Sequence, residues 1–429
     1  MQAPPPSIVR RSRHLGEAAV ALLLVVVSVL LLPRQASAFV LPKRLAAEVL
    51  ALLSLACLWP ALGARSWSEV LRRPAALRAL APLTLVVAAT LAWSEHTAIT
   101  VDAVLSFVIG AACLVVWSEG FERRELDRLF TLLAGLGVLQ AALAVCQYHD
   151  WFDPLVFEQT WGVRRGITAL VGAPGDLGAY LLLPLLWVQA RWPDQTSRRG
   201  RWHLVAASVV LVYGLAVTGT LTAIGAAVAS SLVLWWRSRH RRRILGTVAL
   251  VVAFGGLAML ASSPLRNQVE DKVAAAAAAD LNRLLTGRVD GWRVAGAMLR
   301  ERPLGGVGWG AYRAEFGPTK LSLAQEAVEF YPEHVFPTFQ NAHNELLEVA
   351  AESGGLGILA LFWVLLETVR AGRRIREPRD RALAWSGLLT IALVSVAYFP
   401  FRLAVTAYPF LLFLAWTFRV SADAGADSA

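Results

Sequence analysis

Long uninterrupted runs of apolar residues are the feature that most constrains this chain. A run of about 17 to 25 apolar residues can cross the hydrocarbon core of a bilayer as one helix. About twelve such runs are predicted, at 16–32, 45–63, 79–93, 101–117, 126–148, 177–190, 204–218, 221–236, 244–262, 346–369, 382–399 and 403–418. Only 17% of the residues are charged, against about a quarter in soluble domains. We therefore predict an all-α polytopic membrane protein of about 12 transmembrane helices.

Basic residues are distributed unevenly between the loops. Most of the 41 arginines and lysines fall in alternate loops, including 237–243 and 370–381. This asymmetry is typical of loops that stay in the cytoplasm, and it places both termini there. The net charge of +10 would suggest nucleic acid in a soluble protein, but such binding needs an exposed basic face. We predict no nucleic-acid partner.

The first apolar run has two readings. It follows Arg10–Arg13 and precedes Ala36–Ala38, so it resembles a signal peptide with a cleavage site. The many apolar runs that follow favour a retained first helix instead. Three cysteines, Cys57, Cys113 and Cys146, lie inside apolar runs. Their spacing matches neither a disulfide framework nor a metal motif.

Two outer segments are longer than the other connections, 149–176 and 263–342. Segments of that length between spans are usually functional or separately folded. We expect residues 1–262 to hold transmembrane helices 1–9, residues 263–342 a large loop domain of helices, and residues 343–429 transmembrane helices 10–12. Within the loop, 269–299 has helix-forming composition and 303–310 is rich in turn residues. The loop helices are expected to lie across the outer membrane surface or to form a solvated cap.

Arginines are concentrated in these outer segments. They are Arg164, Arg165, Arg266, Arg283, Arg288, Arg293, Arg300, Arg302 and Arg313. Because guanidinium presents planar paired donors and stays charged at low dielectric, the concentration indicates an anionic, phosphorylated ligand. The alternative is that each arginine contacts lipid headgroups or an acidic residue of the same loop.

A histidine and three acids stand at the entrance to the tenth predicted span. Glu345, Glu348 and Glu352 follow His343 at a spacing that places the acids on one helix face. A carboxylate at the depth of Glu352 should face the protein interior and find a cation. His343 suits a general base tuned by these neighbours, whereas the alternative is a capping or packing histidine. The spaced glycines Gly354 to Gly357 indicate close helix packing.

Several catalytic signatures are missing from the sequence. It contains no Walker loop, dinucleotide fingerprint, His-Glu-x-x-His or Asp-x-Asp pair. A transferase of this kind would use a donor already activated in the membrane, with arginines neutralising the leaving group. We therefore predict no metal and no cofactor. The competing class is a transporter or flippase for lipid-linked sugars, although no inverted repeat is visible.

These residues resemble the O-antigen ligase and polymerase family. The resemblance covers Arg164 to Gly357 in motifs and the whole chain in topology. His343-Asn344 before Glu352 and the glycines is similar to the end of the family's periplasmic loop, and Arg288 with Trp292, followed by 303–310, is similar to its loop pattern. Arg165 ahead of Gly172–Gly175 is similar to the family's arginine before Gly-Asn-Pro-Asn. Both asparagines of that motif are absent here. Residues 220–223 also lack the family's Ser-Arg, and Arg266 is expected to supply that cation.

The resemblance implies transfer of a glycan from undecaprenyl pyrophosphate at the periplasmic face of the bacterial inner membrane. Ligases of the family use lipid A-core as acceptor, polymerases use another carrier-linked repeat, and some relatives use protein. We favour the ligase because the loop before His343 is long and basic enough to receive a phosphorylated core. The implied roles are His343 as general base, then Arg165, Arg288, Arg266 and Arg164 as pyrophosphate ligands, with Asn344, Glu348, Glu352 and Trp292 in support. Membrane lipids are further expected partners.

Overall fold

The computed structural model describes residues 5–32, 38–62, 75–153, 160–161, 164–192, 195–236, 263–285, 287–326, 328–330 and 339–426. Predicted span 244–262 and the arginine run 237–243 lie outside these ranges. Every other predicted span falls on a described helix. Nine helices within the described ranges are long and apolar enough to cross a membrane. The prediction of an all-α polytopic membrane protein is confirmed, and the chain is a multi-pass membrane protein.

The helices before the large loop are α1 (Pro6–Val29), α2 (Val40–Leu62), α3 (Ala75–Ala89, continued by a 3₁₀ turn at Thr90–Ala92), α4 (Thr97–Gly120), α5 (Arg123–Tyr148), α6 (Pro174–Arg191), α7 (Arg198–Val217) and α8 (Leu221–Trp236). Between α5 and α6 runs a two-stranded antiparallel ribbon of β1 (Thr160–Trp161) and β2 (Arg164–Arg165). The large loop contributes α9 (Ser263–Ala277), α10 (Leu281–Leu284), α11 (Arg288–Glu301) and α12 (Tyr312–Gln325). The last helices are α13 (Glu345–Arg374), α14 (Pro378–Ala397) and α15 (Ala404–Ala426).

Helix α6 is the centre of the bundle. Its residues from Asp176 to Ala190 are all buried, and it packs against α5, α7, α8, α14 and α15. A helix that is apolar on every side belongs in the interior, and the unbroken Leu181–Leu186 stretch with its one proline provides such a surface. The N-terminal end of α6 is therefore surrounded by protein, close to the turn between α14 and α15.

The large loop forms a small helical core of its own. Val294 and Met298 of α11 pack with Tyr312 and Phe316 of α12 and with Ala342 just before α13. The helix predicted over 269–299 is divided in two places, where Ala279 (φ 53°) and Gly287 (φ 78°) adopt a left-handed backbone; α11 begins directly after Gly287. Since α11 packs directly on α13, the loop core is joined to the first half of that helix.

Helix α13 breaks at Gly354, where φ is 62° and ψ is −157°. The break leaves the carbonyls of Ala351 and Glu352 without their intrahelical donors, and Val307 N and Gly308 N bond to them at 2.9 Å. In return Gly355 N donates to the Pro303 carbonyl at 2.8 Å. The turn-rich loop 303–310 thus replaces one turn of helical hydrogen bonds. Gly354 and Gly355, which were expected to pack against a helix, pack against this loop instead, whereas Gly357 lies against Ser353 and Val349 of its own helix.

We expect Gly354→Ala to destabilise the fold. The backbone angles at Gly354 are close to those that only glycine adopts readily, and an alanine Cβ would overlap the Leu304 carbonyl. Backbone strain alone costs about 1–3 kcal/mol at such a site. The measurement is thermal unfolding of the purified protein in detergent. The matched control is Gly296→Ala on α11, whose added Cβ meets nothing within 4 Å; equal melting of the two variants would contradict this account.

Candidate active site

Three connections converge at the N-terminal end of α13. They are the loop 303–310, the segment 339–344, and the turn 398–403 between α14 and α15. The loop is bonded to the helix at its break, the segment leads into the helix, and Phe401 N of the turn reaches the Glu345 carboxylate at 3.5 Å. We call the three connections, together with the first two turns of α13, the mouth.

Asn344 caps α13 at the mouth. Its side-chain oxygen accepts from Leu347 N at 3.0 Å, and its amide nitrogen donates to the Val396 carbonyl at 3.0 Å. An asparagine cap satisfies an orphan amide of the first turn. The bond to Val396 also fixes α14 beside α13. This supporting residue therefore holds the backbone that carries His343.

The carboxylates of Glu345, Glu348 and Glu352 surround one buried arginine, Arg402. The sequence analysis did not predict a role for this residue. Arg402 Nη1 lies 2.8 Å from Glu352, and Arg402 Nε lies 3.3 Å from Glu345 and 3.5 Å from Glu348. The guanidinium also stacks over the Trp309 ring at 4.3 Å. Burial lowers the pKa of Arg402, but the three glutamates outweigh it and hold the pKa above its ordinary value. The cationic partner expected for Glu352 is thus Arg402.

His343 occupies a constrained position next to this cluster. Its backbone is left-handed (φ 53°), a conformation that histidine tolerates better than most side chains. Glu348 holds the preceding residues by accepting from Asn341 Nδ2 at 2.7 Å and from Ala342 N at 2.9 Å. The imidazole packs edge-on against Phe339 and Phe399, with ring centroids 5.3 and 4.9 Å apart. Glu348 therefore positions the histidine through the backbone.

Helix α11 presents two unsatisfied donors beside this segment. Arg288 and Trp292 are four residues apart and so share a face of the helix. Arg288 forms no ion pair or hydrogen bond with any described residue, and burial lowers its pKa from the ordinary value. Trp292 Nε1 is buried without an acceptor among the described residues. The intervening Gly291 lies against the Ala342 carbonyl. A Cβ added at Gly291 would be 3.3 Å from the Ala342 carbonyl oxygen.

Arg288 and Arg402 therefore have opposite electrostatic surroundings. Arg402 is surrounded by carboxylates and needs no further anion. Arg288 is half-buried and has no carboxylate partner among the residues that the structure describes, and guanidinium stays charged under such conditions. A buried charge without a partner is costly. This face of α11 is consequently suited to bind an anion with several oxygen acceptors.

Arg164 and Arg165 form β2, where Arg164 pairs with Trp161 and Arg165 with Thr160. The chain that follows is buried and held by side chains from two helices. Lys43 Nζ of α2 donates to the carbonyls of Leu170 (2.5 Å) and Val171 (2.8 Å). Gln147 and Gln140 of α5 accept from the amides of residues 168–170 at 3.0–3.1 Å. This clamp fixes the segment that joins β2 to α6.

A line of contacts joins that segment to the mouth. Asp176, in the first turn of α6, accepts from the Tyr398 hydroxyl at 2.6 Å. Tyr398 stacks on Phe399 with centroids 4.6 Å apart, and Phe399 contacts the ring of His343. The buried end of α6 is thereby connected to the candidate base through three side chains.

The remaining predicted arginines separate into paired and unpaired members. Arg283 bonds to Asp271, Arg293 lies 3.7 Å from Asp290, and Arg302 pairs with Glu95. Among the described residues Arg300 and Arg313 form no ion pair, and both are exposed. Arg266 is exposed on α9, which packs against α10, and the structure does not bring it to the acidic cluster.

The position where the family shows Ser-Arg has a packing role here. The Thr220 hydroxyl donates to the Pro174 carbonyl at 3.1 Å, and Gly178 of α6 lies against Thr220 and Ala223. The start of α8 is thus packed directly onto α6. Within the described ranges no three histidine, cysteine or carboxylate side chains are grouped to hold a metal ion.

Part of the chain is similar to a known protein family. Residues 204–362 match the O-antigen ligase family. The matched range contains Arg288, Trp292, the loop 303–310, His343 and Glu352, whereas Arg165 and Arg402 lie outside it. No curated protein matches the chain.

Proposed function

We propose that this protein transfers an O-antigen glycan from undecaprenyl pyrophosphate to lipid A-core at the periplasmic face of the bacterial inner membrane. One observation carries the proposal: His343 adjoins a helix face on which the half-buried Arg288 and the buried indole N–H of Trp292 have no acceptor among the described residues. Both lie in the range matched by the family. A pyrophosphate offers the oxygens that such donors require.

In the proposed step His343 takes the proton from an acceptor sugar hydroxyl. The hydroxyl oxygen forms the new glycosidic bond at the anomeric carbon of the donor. The bond between that carbon and the pyrophosphate oxygen breaks, and undecaprenyl pyrophosphate leaves with the electron pair. Because charge develops on the leaving oxygens, donors that are fixed in advance stabilise the transition state.

Arg288 and Trp292 are proposed to bind that leaving group, with Arg165, Arg164 and Arg266 completing the set predicted from the sequence. The clamp formed by Lys43 and the two glutamines supports a fixed position for the segment after β2. Support for Arg266 is weakest, since its helix packs away from the mouth. A reaction of this design is expected to need no divalent metal and to continue in the presence of a chelator.

The acceptor assignment follows from the arginines left unpaired. Lipid A-core carries phosphates, so a ligase must bind a second anion beside the donor. Arg300 and Arg313 are exposed and have no acidic partner among the described residues, and we propose that they contact these phosphates. Arg283, Arg293 and Arg302 are already paired with acids, which makes them weaker candidates than the sequence analysis predicted.

Arg288→Gln is expected to lower kcat/KM for the lipid-linked donor by about tenfold to a hundredfold. The loss corresponds to one hydrogen-bonded charge, worth about 1.5–3 kcal/mol. The measurement is the initial rate of transfer by purified protein over a range of donor concentrations. Arg293→Gln is the matched control, because Arg293 lies on the same helix but is exposed and already bonded to Asp290 and the Glu329 carbonyl. Equal effects of both changes would contradict the assignment.

Three alternatives lead to different outcomes. A polymerase would lengthen the carrier-linked glycan, and a protein oligosaccharyltransferase would leave lipid A-core unmodified. A flippase would move the lipid-linked sugar across the bilayer without forming a bond. Proteoliposomes containing the purified protein, carrier-linked glycan and lipid A-core distinguish these outcomes by product analysis and by a flipping assay. We expect glycan on lipid A-core, and movement without covalent transfer would refute the proposal.

A further inference from the structure

The far end of α13 from the mouth carries a cavity with basic walls. Its volume is about 500 Å³, and it is lined by Arg373, Pro378, Arg381 and Trp385. Ligand-binding clefts typically have volumes of about 300–1,000 Å³. Arg373 lies in the last turn of α13, and the other three residues lie in the first turns of α14. The cavity therefore sits where two transmembrane helices end.

The arginines that line the cavity are available to a ligand. Arg373 and Arg381 are exposed, and neither forms a hydrogen bond or an ion pair with any residue that the structure describes. The neighbouring acids are already engaged. Glu367 pairs with Arg370, Asp380 with Arg123, and Glu377 caps α14 by accepting from Asp380 N at 2.6 Å. The two guanidiniums consequently line the cavity without a carboxylate partner among the described residues.

The depth of the cavity points to the bilayer surface. From the break at Gly354 to Arg373, α13 advances about 30 Å at the usual rise per residue. That length equals the hydrocarbon thickness of a typical bilayer, and Arg373 follows the end of the predicted span 346–369 by four residues, which points to headgroup level. Trp385 is half-buried about 10 Å further along α14 from Pro378. Tryptophan is enriched at this boundary, since its ring suits both the apolar and the hydrated layer.

We propose that this cavity binds the phosphate headgroup of an anionic phospholipid. Arg373 and Arg381 would hold the phosphate oxygens, and Trp385 would contact the glycerol region below. Basic pockets between transmembrane helices bind anionic headgroups in this way. The site is separate from the mouth and does not depend on the proposed transfer reaction.

The test uses the full-length protein in phosphatidylcholine nanodiscs with a small, varied fraction of phosphatidylglycerol. Bound phosphatidylglycerol is counted by native mass spectrometry for the wild type and for Arg373→Gln/Arg381→Gln. We expect binding to weaken by about twenty- to thirtyfold, as removal of two interfacial charges implies. The control is Arg198→Gln/Arg199→Gln, which removes two exposed arginines of α7 that have no described ion pair and are predicted to lie on the same membrane side. This control is expected to bind like the wild type.

Two results would overturn the proposal. The first is an equal loss in both double variants, which would show a general effect of surface charge. The second is displacement of the bound lipid by millimolar inorganic phosphate, which would identify a site for free anions. Melting temperatures of both variants are measured in parallel, and since all four side chains are exposed we expect them to match the wild type.

Discussion

Replacing His343 by alanine is expected to slow glycan transfer by about 10²- to 10⁴-fold, the loss typical of a positioned general base. The imidazole is held between Phe339 and Phe399, and its backbone is fixed through Glu348. Removal of the ring therefore leaves the surrounding contacts of Glu348 in place. The measurement is kcat for transfer from carrier-linked glycan by purified protein.

Two further variants make this result specific. His343→Asn retains a side chain that tolerates the left-handed backbone, so it separates loss of the base from backbone strain. His96→Ala removes a histidine whose Nε2 lies 3.0 Å from Glu315 and is expected to leave transfer nearly unchanged. Wild-type turnover in both His343 variants would show that another group accepts the proton.

The second large effect is expected at Arg402. Arg402→Met removes the cation shared by Glu345, Glu348 and Glu352, whose side chains are at most 9% exposed. Removing one partner of a buried ion pair typically costs about 3–5 kcal/mol, because the other charge stays buried alone. We expect a loss of this size in the free energy of unfolding, measured by denaturant titration in detergent. The segment bearing His343 should loosen as well, since Glu348 contacts both.

Two further variants are compared with Arg402→Met: one breaks an exposed ion pair, and the other removes the buried acids together with the arginine. Arg302→Gln breaks a half-exposed pair with Glu95 near the same surface and should cost only about 0–1 kcal/mol. Converting the three glutamates to glutamine together with Arg402→Met removes all the buried charges and should recover part of the lost stability. If Arg402→Met and Arg302→Gln lower the free energy of unfolding by the same amount, the acidic cluster does not stabilise the mouth.

The membrane-spanning helices could be predicted from local sequence, because apolar length alone decides whether a segment can cross a bilayer. The break in α13 could not be predicted from local sequence. Gly354 and its neighbours signal close backbone approach, but the exchange of hydrogen bonds with residues 303–308 joins segments far apart in the chain. Pairing across such a distance depends on how the helices pack, which no local pattern encodes.

The site was predicted only in part for the same reason. The spacing of Glu345, Glu348 and Glu352 indicated a shared face and a missing cation, yet the cation comes from Arg402, beyond the following helix. A signal was present, because Arg402 stands alone between two apolar runs and buried acids need a partner. Arg266 is expected to supply the cation of the missing Ser-Arg, whereas the structure leaves it exposed. Lys43 was overlooked because its bonds to carbonyls leave no side-chain pattern.

The proposed reaction breaks, at the mouth, the bond between a glycan and its lipid pyrophosphate. The most direct measurement is release of undecaprenyl pyrophosphate by purified protein, with and without lipid A-core, beside the formation of glycosylated lipid A-core. We predict one carrier pyrophosphate released for each glycan transferred, dependence of both on the acceptor, and loss of both in His343→Ala. Glycan movement across the bilayer with no release of carrier pyrophosphate would contradict this proposed reaction.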